Sequence, residues 1–305
     1  MTRLAVLCSG QGAQAPGMFD LVAEAPEAQA IFAAAAPALG GRDPREVVAS
    51  DRDRLHHNAT AQVLCCTQAL AAWAALKGRI DARFVVAGYS VGEVAAWGVA
   101  GAVEPAGVFE IVAERAALMD RATKVPSGLL AVSGLGALAV ERLCDAADVH
   151  VAIRNAPDRV VLGGTRDALG RARARAESTG ARVTPLSVAV PSHTPLLREA
   201  AEAFAGDLRG RRDVRPPGER LISGIDGDAV FDVRVGLDKL ARQVAQTVDW
   251  AACLEACRSF GATRALELGP GDALARMMGE AIGRRDSRSV AEFHSLDGVI
   301  RWLAT

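Results

Sequence analysis

A serine between two glycines is the residue of this chain whose setting most clearly predicts chemistry. Ser90 lies in Gly88–Gly92, which reads Gly-Tyr-Ser-Val-Gly. The apolar run Phe84–Ala87 precedes this pentapeptide, and the helix-forming residues Val94–Trp97 follow it. A strand, a sharp turn and a helix in this order predict a nucleophile elbow, in which the glycines allow close packing around a strained serine. The helix N-terminus would direct backbone N–H groups at a developing oxyanion, so we expect a catalytic nucleophile rather than an ordinary turn residue.

Five histidines are available as the base that a serine nucleophile needs, because the pKa of a serine hydroxyl is far above neutral. They are His56, His57, His150, His193 and His294. His193 lies in Val190–Pro195, where a predicted strand ends and two prolines bracket a rigid turn, and such rigidity suits a side chain that must be aimed. The others have simpler explanations, at the start of a helix, beside an apolar strand or without any accompanying motif. We predict His193 as the base, with an ordinary turn histidine as the alternative.

A glycine-rich turn follows the first predicted strand, Arg3–Cys8. Gly10–Ala15 reads Gly-Gln-Gly-Ala-Gln-Ala and superficially fits a dinucleotide-binding fingerprint. That fingerprint needs an acidic residue about 20 positions further on to bind the ribose. No Asp or Glu lies between Glu27 and Asp43. We therefore favour the alternative, in which the glycines bring backbone amides close to a ligand and Gln11 projects into the cleft that holds Ser90.

The composition limits the class of protein. Half of the 305 residues are hydrophobic but only 4% are aromatic, so small aliphatic side chains must build one large domain, or a domain with an inserted one. A formal net charge of −1 argues against nucleic-acid and membrane-surface proteins, which carry a basic excess. The longest stretch without charged residues, Leu55–Leu76, includes Gln62 and Gln68, which favours a buried helix over a membrane span.

The cysteines and the N-terminal residues predict a cytoplasmic protein. The six cysteines form no Cys-x-x-Cys pair and no regular framework, so reduced and mostly buried thiols are expected. No secretory signal is visible after Met1. No spacing of His, Cys, Asp or Glu suggests a metal site.

The order of the predicted elements indicates two parts. Strand and helix patterns alternate in residues 1–126 and 191–305, which we interpret as one α/β core. Residues 127–190 have the succession β-α-β, β-α-β that is typical of a ferredoxin-like subdomain. Its predicted elements are Leu129–Ser133, Ala137–Ala147, Val149–Arg154, Arg159–Gly163, Arg166–Ser178 and Ala181–Val188. We expect this subdomain to be inserted close to the serine.

Six features occur along the chain in one order. They are Gly10–Gln14, the elbow extended to Glu93, Arg115, Asn155–Pro157, Pro191–His193 and Glu267–Gly271. Over nearly all 305 residues, this order resembles the malonyl-CoA:acyl-carrier-protein transacylase family. Tyr89, the only tyrosine, stands where the fatty-acid-synthesis members of that family carry histidine. In this respect the chain is similar to the epsilon subunit of malonate decarboxylase.

The resemblance implies an α/β fold with a hydrolase-like core on a parallel sheet, and a two-step acyl transfer. Ser90 would attack the thioester carbonyl of malonyl-CoA while His193 accepts its proton. The malonyl ester would then pass to the phosphopantetheine-type thiol of an acyl carrier protein, with ping-pong kinetics. The backbone N–H groups of Gln11 and Val91 would stabilise the oxyanion. No bound cofactor is implied.

The resemblance implies that Arg115 binds the acyl group. The free carboxylate of malonyl calls for a planar, bidentate partner, which arginine offers. The alternative is an exposed helix arginine that pairs with Glu110 or Glu114. Met119, one turn further on, would line the same pocket or belong to the core.

Two more positions receive roles from the resemblance. The main-chain carbonyl of Gln243 would orient His193, with Gln246 as the alternative. Asn155 would organise the insert opposite the serine, or hold a turn before Pro157.

Alternative functions remain open. An α/β-hydrolase esterase also uses Gly-x-Ser-x-Gly, but it would carry a His-Gly-Gly oxyanion loop, which is absent, and an acidic residue between serine and histidine. Asp158 and Asp167 are acidic but fall in the insert. A non-catalytic scaffold that docks a carrier protein would be favoured by a disrupted elbow. The expected partners are malonyl-CoA, an acyl carrier protein and other malonate decarboxylase subunits, with fatty-acid or polyketide synthesis as the alternative setting, and neither nucleic acid nor membrane.

Overall fold

A parallel sheet crosses the protein, and a second, mostly antiparallel sheet shares its core. The computed structural model describes residues 3–51 and 54–305. In these ranges the strands are β1 (Arg3–Cys8), β2 (Arg83–Gly88), β3 (Ser127–Ser133), β4 (His150–Ala156), β5 (Arg159–Thr165), β6 (Arg182–Pro185), β7 (Arg220–Ile222), β8 (Val248–Asp249), β9 (Arg264–Glu267) and β10 (Ser287–Ser289). The helices are α1 (Pro26–Ala35), α2 (Pro44–Ser50), α3 (Asn58–Lys77), α4 (Gly92–Val99), α5 (Pro105–Ala122), α6 (Ala137–Ala147), α7 (Arg166–Ser178), α8 (Arg198–Gly210), α9 (Val233–Arg242), α10 (Trp250–Ser259), α11 (Ala273–Ile282) and α12 (Leu296–Ala304). The α/β class predicted from the sequence is confirmed.

The parallel sheet brings the carboxyl ends of its strands to one edge. Its order is β10-β9-β1-β2-β7. Strand β1 pairs with β2 in register, from Arg3 opposite Arg83 to Cys8 opposite Gly88. Because both strands run in the same direction, the loop after β1 and the turn after β2 meet at that edge, where open α/β sheets bind their ligands.

Both faces of the parallel sheet are covered. Leu4 and Val6 of β1 belong to the large apolar cluster that also contains residues of α3, α4 and α5. The intervening Ala5 and Leu7 face a second cluster, which includes Trp250 and other residues of α10 and α11. This coverage explains why the strand is apolar throughout rather than alternating.

The second sheet has the order β6-β3-β5-β4-β8. Strands β3 to β6 are antiparallel to their neighbours within residues 127–185, and α6 and α7 follow β3 and β5 in the chain. Leu130 and Leu162 pack in a cluster with both helices. On the opposite face, Leu129 and Val161 join the cluster of Trp250. The second sheet is thereby packed onto the core that carries the elbow.

One strand of the second sheet comes from outside residues 127–190. Strand β8 runs parallel to β4, with Val248 opposite Ile153 and Asp249 opposite Arg154. The sequence predicted no strand here, because two residues are too few to show an alternating pattern. The C-terminal part of the chain thus supplies an edge of this sheet.

Helix α3 explains the long uncharged stretch of the sequence. It is long and apolar enough to cross a membrane, but 83% of its most apolar window is buried inside the protein. Its neighbours are α1, α4 and α5. Burial among these helices accounts for its composition. The six cysteines are free, and all except the half-buried Cys144 are buried.

Candidate active site

Ser90 stands on a tight turn between β2 and α4. Its backbone φ is 56°, in the left-handed region that residues other than glycine rarely adopt. Neither flanking glycine has room for a side chain. A Cβ on Gly92 would overlap the carbonyl of Cys8, and a Cβ on Gly88 would overlap the start of α4. The turn is therefore pressed against the end of β1, and this contact fixes the position of the serine hydroxyl.

His193 holds the serine hydroxyl from the other side of the cleft. Its Nε2 lies 2.7 Å from Ser90 Oγ, and its Nδ1 lies 2.6 Å from the main-chain oxygen of Gln243. A carbonyl oxygen only accepts, so Nδ1 carries the proton and Nε2 is free to accept the proton of the serine. The structure therefore presents the tautomer that a general base requires.

Burial keeps His193 uncharged. The side chain is 1% exposed, and burial lowers its pKa to about 3, assisted by the positive charge of Arg115 and opposed by the hydrogen bond to Gln243. A neutral imidazole is the form that accepts a proton. The His193 backbone N–H donates to the carbonyl of Val244 at 2.9 Å, so the same segment holds both its ring and its main chain.

Two backbone N–H groups are available beside the serine. Within residues 3–51 and 54–305, those of Gln11 and Val91 have no hydrogen-bond acceptor. The Gln11 loop is anchored by Glu267, which accepts from Ser9 Oγ at 2.6 Å and from the N–H of Ala275 at 2.8 Å. Burial raises the pKa of Glu267 to about 7. The anchored loop and the start of α4 provide the pair of donors that an oxyanion hole needs.

Arg115 lies in the interior of the protein. It is completely buried, with Nη1 2.6 Å from Gln62 Oε1 and Nη2 3.4 Å from Gln243 Oε1, and its Nε has no partner among the described residues. Burial lowers its pKa to about 10, so the guanidinium stays charged at neutral pH. The alternative of an exposed ion pair is wrong, because Glu110 contacts Arg211 and Glu114 contacts Arg121.

The space above Ser90 continues into a basic groove. A small cavity of about 30 Å³ is lined by Gln11, Tyr89, Ser90, Leu129, Ile153, Leu186, Val188, Ser192 and His193. Leu129, Leu186 and Val188 also line a groove of about 590 Å³, to which Arg166 and Arg173 contribute together with His56 and His57. Among the residues that the structure describes, no Asp or Glu lines this groove. We call it the basic groove.

A second groove, of about 1020 Å³, also includes His193 in its lining. Its lining includes Glu141, Asp145, Asp148 and Asp226. Arg242 is the one arginine among the lining residues, and no lysine is among them. The cleft at His193 therefore has one basic and one acidic approach, and phosphate groups are favoured only on the basic side.

Comparison with known proteins agrees with this geometry. The acyl transferase domain family matches residues 6–223. The malonyl CoA-acyl carrier protein transacylase of Escherichia coli is 30% identical over 290 residues, which cover 90% of this chain and 91% of that protein. The chain belongs to the acyl transferase domain family.

Solved structures show the same fold. The acyl-carrier-protein S-malonyltransferase of Burkholderia pseudomallei is 31% identical, with a TM-score of 0.90 over 98% of this chain and 100% of that chain. A malonyl-transacylase in complex with its type II polyketide (PKS) acyl-carrier protein is 26% identical, with a TM-score of 0.90 over 99% of both chains. Both match this acyltransferase over nearly its whole length.

None of the four predicted substrate-binding residues of the acyltransferase, Arg115, Gln243, Asn155 and Met119, is among the residues that line the small cavity at Ser90. Met119 is fully buried in the main apolar cluster and its sulfur accepts from Gln62 Nε2 at 3.5 Å, so the structure places it in the core rather than in the lining. Asn155 lies on β4, and its buried Oδ1 has no hydrogen-bond partner in the described part of the chain. Its side chain neighbours Tyr89, whose pKa burial raises to about 12 against the opposing effect of Asn155.

The two glutamines after α9 are distinguished by their contacts. Gln243 is completely buried and its main chain accepts from His193. Gln246 accepts from the side chain of Arg242 at 3.1 Å. The structure thus brings Gln243, and not Gln246, to the imidazole. Gln243 also reaches Arg115 with its side chain, which the sequence did not predict.

Sequence reasoning missed the residues that surround Arg115. Gln62, Asn58 and Asp120 form a chain of hydrogen bonds on one side of it, and Glu93 completes the other side through Gln243. Glu93 stands in the elbow motif, and the uncharged run of α3 contains two of the others. A polar residue in an otherwise apolar helix is a usable signal, since buried amides need partners.

Proposed function

We propose that this acyltransferase moves a malonyl group from malonyl-CoA, through an ester on Ser90, to the thiol of an acyl carrier protein. The names of its relatives support the substrate and the acceptor. The observation that carries the choice of malonyl is Arg115, a buried cation that has no carboxylate partner among the described residues. Its charge acts on His193, and Gln243 contacts both side chains. A free carboxylate on the acyl group would form an ion pair with this arginine.

The first half-reaction forms the ester. His193 Nε2 takes the proton of Ser90 Oγ as the oxygen attacks the thioester carbonyl, and the carbonyl oxygen becomes an oxyanion between the N–H groups of Gln11 and Val91. The C–S bond then breaks, and His193 returns the proton to the departing thiolate of CoA. The products are malonyl-Ser90 and free CoA.

The second half-reaction reverses these steps with a new thiol. His193 accepts the proton of the phosphopantetheine-type thiol, and the thiolate attacks the ester of Ser90. Collapse of the second tetrahedral intermediate returns the proton to Ser90 and releases the malonyl thioester of the carrier. Because CoA leaves before the carrier reacts, the kinetics are ping-pong.

The basic groove supplies the approach for both thiols. Arg166 and Arg173 lie on α7 and line the groove that opens towards Ser90. Arg173 is paired with Glu177 at 2.8 Å, whereas Arg166 forms no ion pair with any residue in the described ranges. CoA and the prosthetic arm of a carrier both carry phosphate, so this groove favours them over neutral thioesters.

An esterase is less well supported by the geometry. A Ser-His-Asp hydrolase orients its histidine with a carboxylate. His193 Nδ1 instead bonds to the carbonyl of Gln243, and within the described part of the chain no carboxylate contacts the ring. The intact contact between Ser90 and His193 likewise weighs against a scaffold without catalysis.

For the biological setting, we propose the epsilon subunit of malonate decarboxylase, acting in the cytoplasm with the other subunits of that complex. The support is Tyr89, which stands where the fatty-acid-synthesis members of the family carry histidine. Its ring packs edge to face on Trp250, with ring centroids 5.3 Å apart. Transfer rates to a malonate decarboxylase carrier and to a fatty-acid carrier test this setting. Faster transfer to the fatty-acid or polyketide carrier would contradict it.

We further propose that residues 127–190 are a ferredoxin-like subdomain within a hydrolase-like core formed by residues 1–126 and 191–305. The succession β-α-β-β-α-β and the strand order β6-β3-β5-β4 support this division. Strand β8 is then an addition from the core to the edge of the subdomain.

The experiment that tests the acyl group uses Arg115→Ala. Initial rates of transfer to a holo carrier protein are measured with malonyl-CoA and with acetyl-CoA. We expect malonyl transfer to fall by at least about 100-fold, since a charged hydrogen-bonded contact is lost, while acetyl transfer is retained or rises. Glu114→Gln, on the surface of the same helix, is the control. An equal loss for both acyl groups would contradict the role of Arg115.

A further inference from the structure

Arg115 lies at the centre of a continuous chain of hydrogen bonds with a carboxylate at each end. On one side, Arg115 donates to Gln243, and Gln243 Nε2 donates to Glu93 Oε2. On the other side, Arg115 donates to Gln62, Gln62 Nε2 donates to Asn58 Oδ1 at 2.7 Å, and Asn58 Nδ2 donates to Asp120 Oδ1 at 2.9 Å. We call these six residues the arginine relay.

Each amide of the relay has only one workable orientation. A guanidinium only donates and a carboxylate oxygen accepts, so an amide between them must turn its oxygen to the arginine and its nitrogen to the acid. Gln243 satisfies this rule directly between Arg115 and Glu93. Gln62 satisfies it through Asn58, whose nitrogen is committed to Asp120 and to the carbonyl of Ala116. The terminal carboxylates therefore determine which atoms face Arg115.

This arrangement holds the guanidinium without neutralising it. A carboxylate in direct contact would occupy the bidentate face of Arg115 and compete with an incoming anion. The amides place neutral oxygens on two of its nitrogens, and the acids stay one and two side chains away. Arg115 Nε has no hydrogen-bond partner within residues 3–51 and 54–305. The cation is thus held in place with donor capacity to spare.

The two ends of the relay differ in their exposure. Glu93 is completely buried and also accepts from the N–H of Gly224 at 2.9 Å. Water therefore does not compete for its hydrogen bond with Gln243. Burial raises the pKa of Glu93 to about 8, opposed by these hydrogen bonds and by the charge of Arg115. At neutral pH the acid is therefore largely protonated, and a proton on Oε1 leaves Oε2 as the acceptor for Gln243. Asp120 is at the surface, where water can replace its contact with Asn58.

We propose that Glu93 and Asp120 are positioning residues for acyl-group selection, which orient the amides of Gln243 and Gln62 so that Arg115 is held for a substrate carboxylate. Glu93 has the larger effect because its contact is buried. Gln243 additionally links this selection to catalysis, since its main chain orients His193. The inference rests on the proposed malonyl transfer and adds to it the groups that determine the specificity.

The test measures the ratio of kcat/KM for malonyl-CoA to that for acetyl-CoA. In Glu93→Ala, Gln243 is free to turn its nitrogen to Arg115, and we expect this ratio to fall about tenfold. Glu93→Gln keeps an oxygen where Oε2 accepts, and it should restore most of the ratio. Asp120→Ala should lower it about threefold, because water takes over part of the contact. Glu114→Gln is again the surface control.

A second experiment, in the Arg115→Ala variant, distinguishes the relay from a general structural role of Glu93 and Asp120. In Arg115→Ala, the same changes at Glu93 and Asp120 should leave the ratio where Arg115→Ala alone puts it. A matched loss for malonyl and acetyl in Glu93→Ala, or no rescue by Glu93→Gln, would overturn the proposal. If Glu93→Ala does not fold, the Gln243→Met variant tests the proposal instead, since it removes the side-chain amide and keeps the main-chain carbonyl that accepts from His193. A Gln243→Met variant with an unchanged ratio would likewise overturn it.

Failure of the proposed function has a different signature. If Arg115→Ala leaves the ratio unchanged, Arg115 does not bind the acyl carboxylate and the malonyl proposal itself fails. If Arg115→Ala lowers the ratio but none of the relay variants does, only the relay is wrong.

Discussion

Ser90 and His193 meet with both backbones in the left-handed region. Their φ angles are 56° and 62°, and their side chains lie 2.7 Å apart. A non-glycine residue in this region costs on the order of 1–3 kcal/mol, and it persists only where its surroundings leave no alternative. Packing of Gly92 against Cys8 provides this constraint for the serine, and hydrogen bonds to Gln243 and Val244 provide it for the histidine. The proposed nucleophile and base are therefore aligned before substrate binds.

Replacing Ser90 by alanine should abolish the covalent intermediate. Without the Oγ, no ester can form, so incubation with radiolabelled malonyl-CoA should leave no label on the precipitated protein. Ser178→Ala, at the exposed end of α7, should label like the unchanged protein. Label retained by Ser90→Ala would remove this serine from the mechanism.

The ring of His193 should stay neutral well below its ordinary pKa of 6.5. The folded-state pKa is depressed, so as the pH falls below 6.5 the unfolded chain binds a proton that the folded chain does not. Stability contributed above that pH is then lost, at about 1.4 kcal/mol for each pH unit. Urea unfolding between pH 7 and pH 5 should show this slope, and His193→Asn should show less of it.

A direct measurement accompanies the unfolding experiment. The imidazole signals of His193, assigned in NMR spectra by their loss in His193→Asn, should keep their neutral shifts down to pH 5. An inflection near pH 6.5 would show that the ring is more exposed than in the structure described above.

Adding one methyl group to the elbow should disrupt it. The Cβ of Gly92→Ala would overlap the carbonyl of Cys8, so we expect a loss of about 3 kcal/mol in the free energy of unfolding, and loss of acyl transfer. Gly206→Ala is the control, because a Cβ there has no neighbour within 4 Å and the residue lies inside α8. That change should stabilise by about 0.5–1 kcal/mol. Equal stability of both variants would show that the elbow tolerates a side chain.

Removing a charge from the basic groove should weaken the binding of phosphate-bearing thioesters only. Arg166→Ala should raise KM for malonyl-CoA about fivefold, since a charged contact at an exposed site is lost, and kcat should change little. Malonyl-pantetheine without its phosphates should be transferred as before. Arg175→Ala, on the same helix but outside the groove, should affect neither substrate. A parallel change in KM for both thioesters would argue against phosphate binding in this groove.

Sequence patterns were most informative where one local feature determines the structure. Helices α6 and α7 have the predicted bounds Ala137–Ala147 and Arg166–Ser178. Strand β1 has the predicted bounds Arg3–Cys8, because its apolar run is continuous and ends in glycine. The short strands β8 and β10 were not predicted, since two or three residues carry no periodicity. The helices α11 and α12 were not predicted either, although Ser295 caps α12 by accepting from the N–H of Gly298.

The site residues likewise divide into those that a local sequence pattern predicts and those that depend on residues far away in the chain. Ser90 is marked by its flanking glycines and His193 by its prolines, so both were found from neighbours in the sequence. The environment of Arg115 was not, because its partners Gln62 and Gln243 lie 53 and 128 positions away. Met119 was left open between the pocket and the core for a related reason, since a helical spacing of four residues does not distinguish the two.

The pairing of β8 with β4 limits how this protein can be re-engineered. Five residues after the carbonyl that orients His193, the chain enters the edge of the second sheet at Val248. A chimaera that exchanges only residues 127–190 would set a foreign strand against β8 and displace the neighbouring histidine support. Exchanges intended to alter carrier choice should therefore include residues 243–249 together with residues 127–190. Deleting residues 127–190 would leave β8 without its partner strand, close to the imidazole of His193.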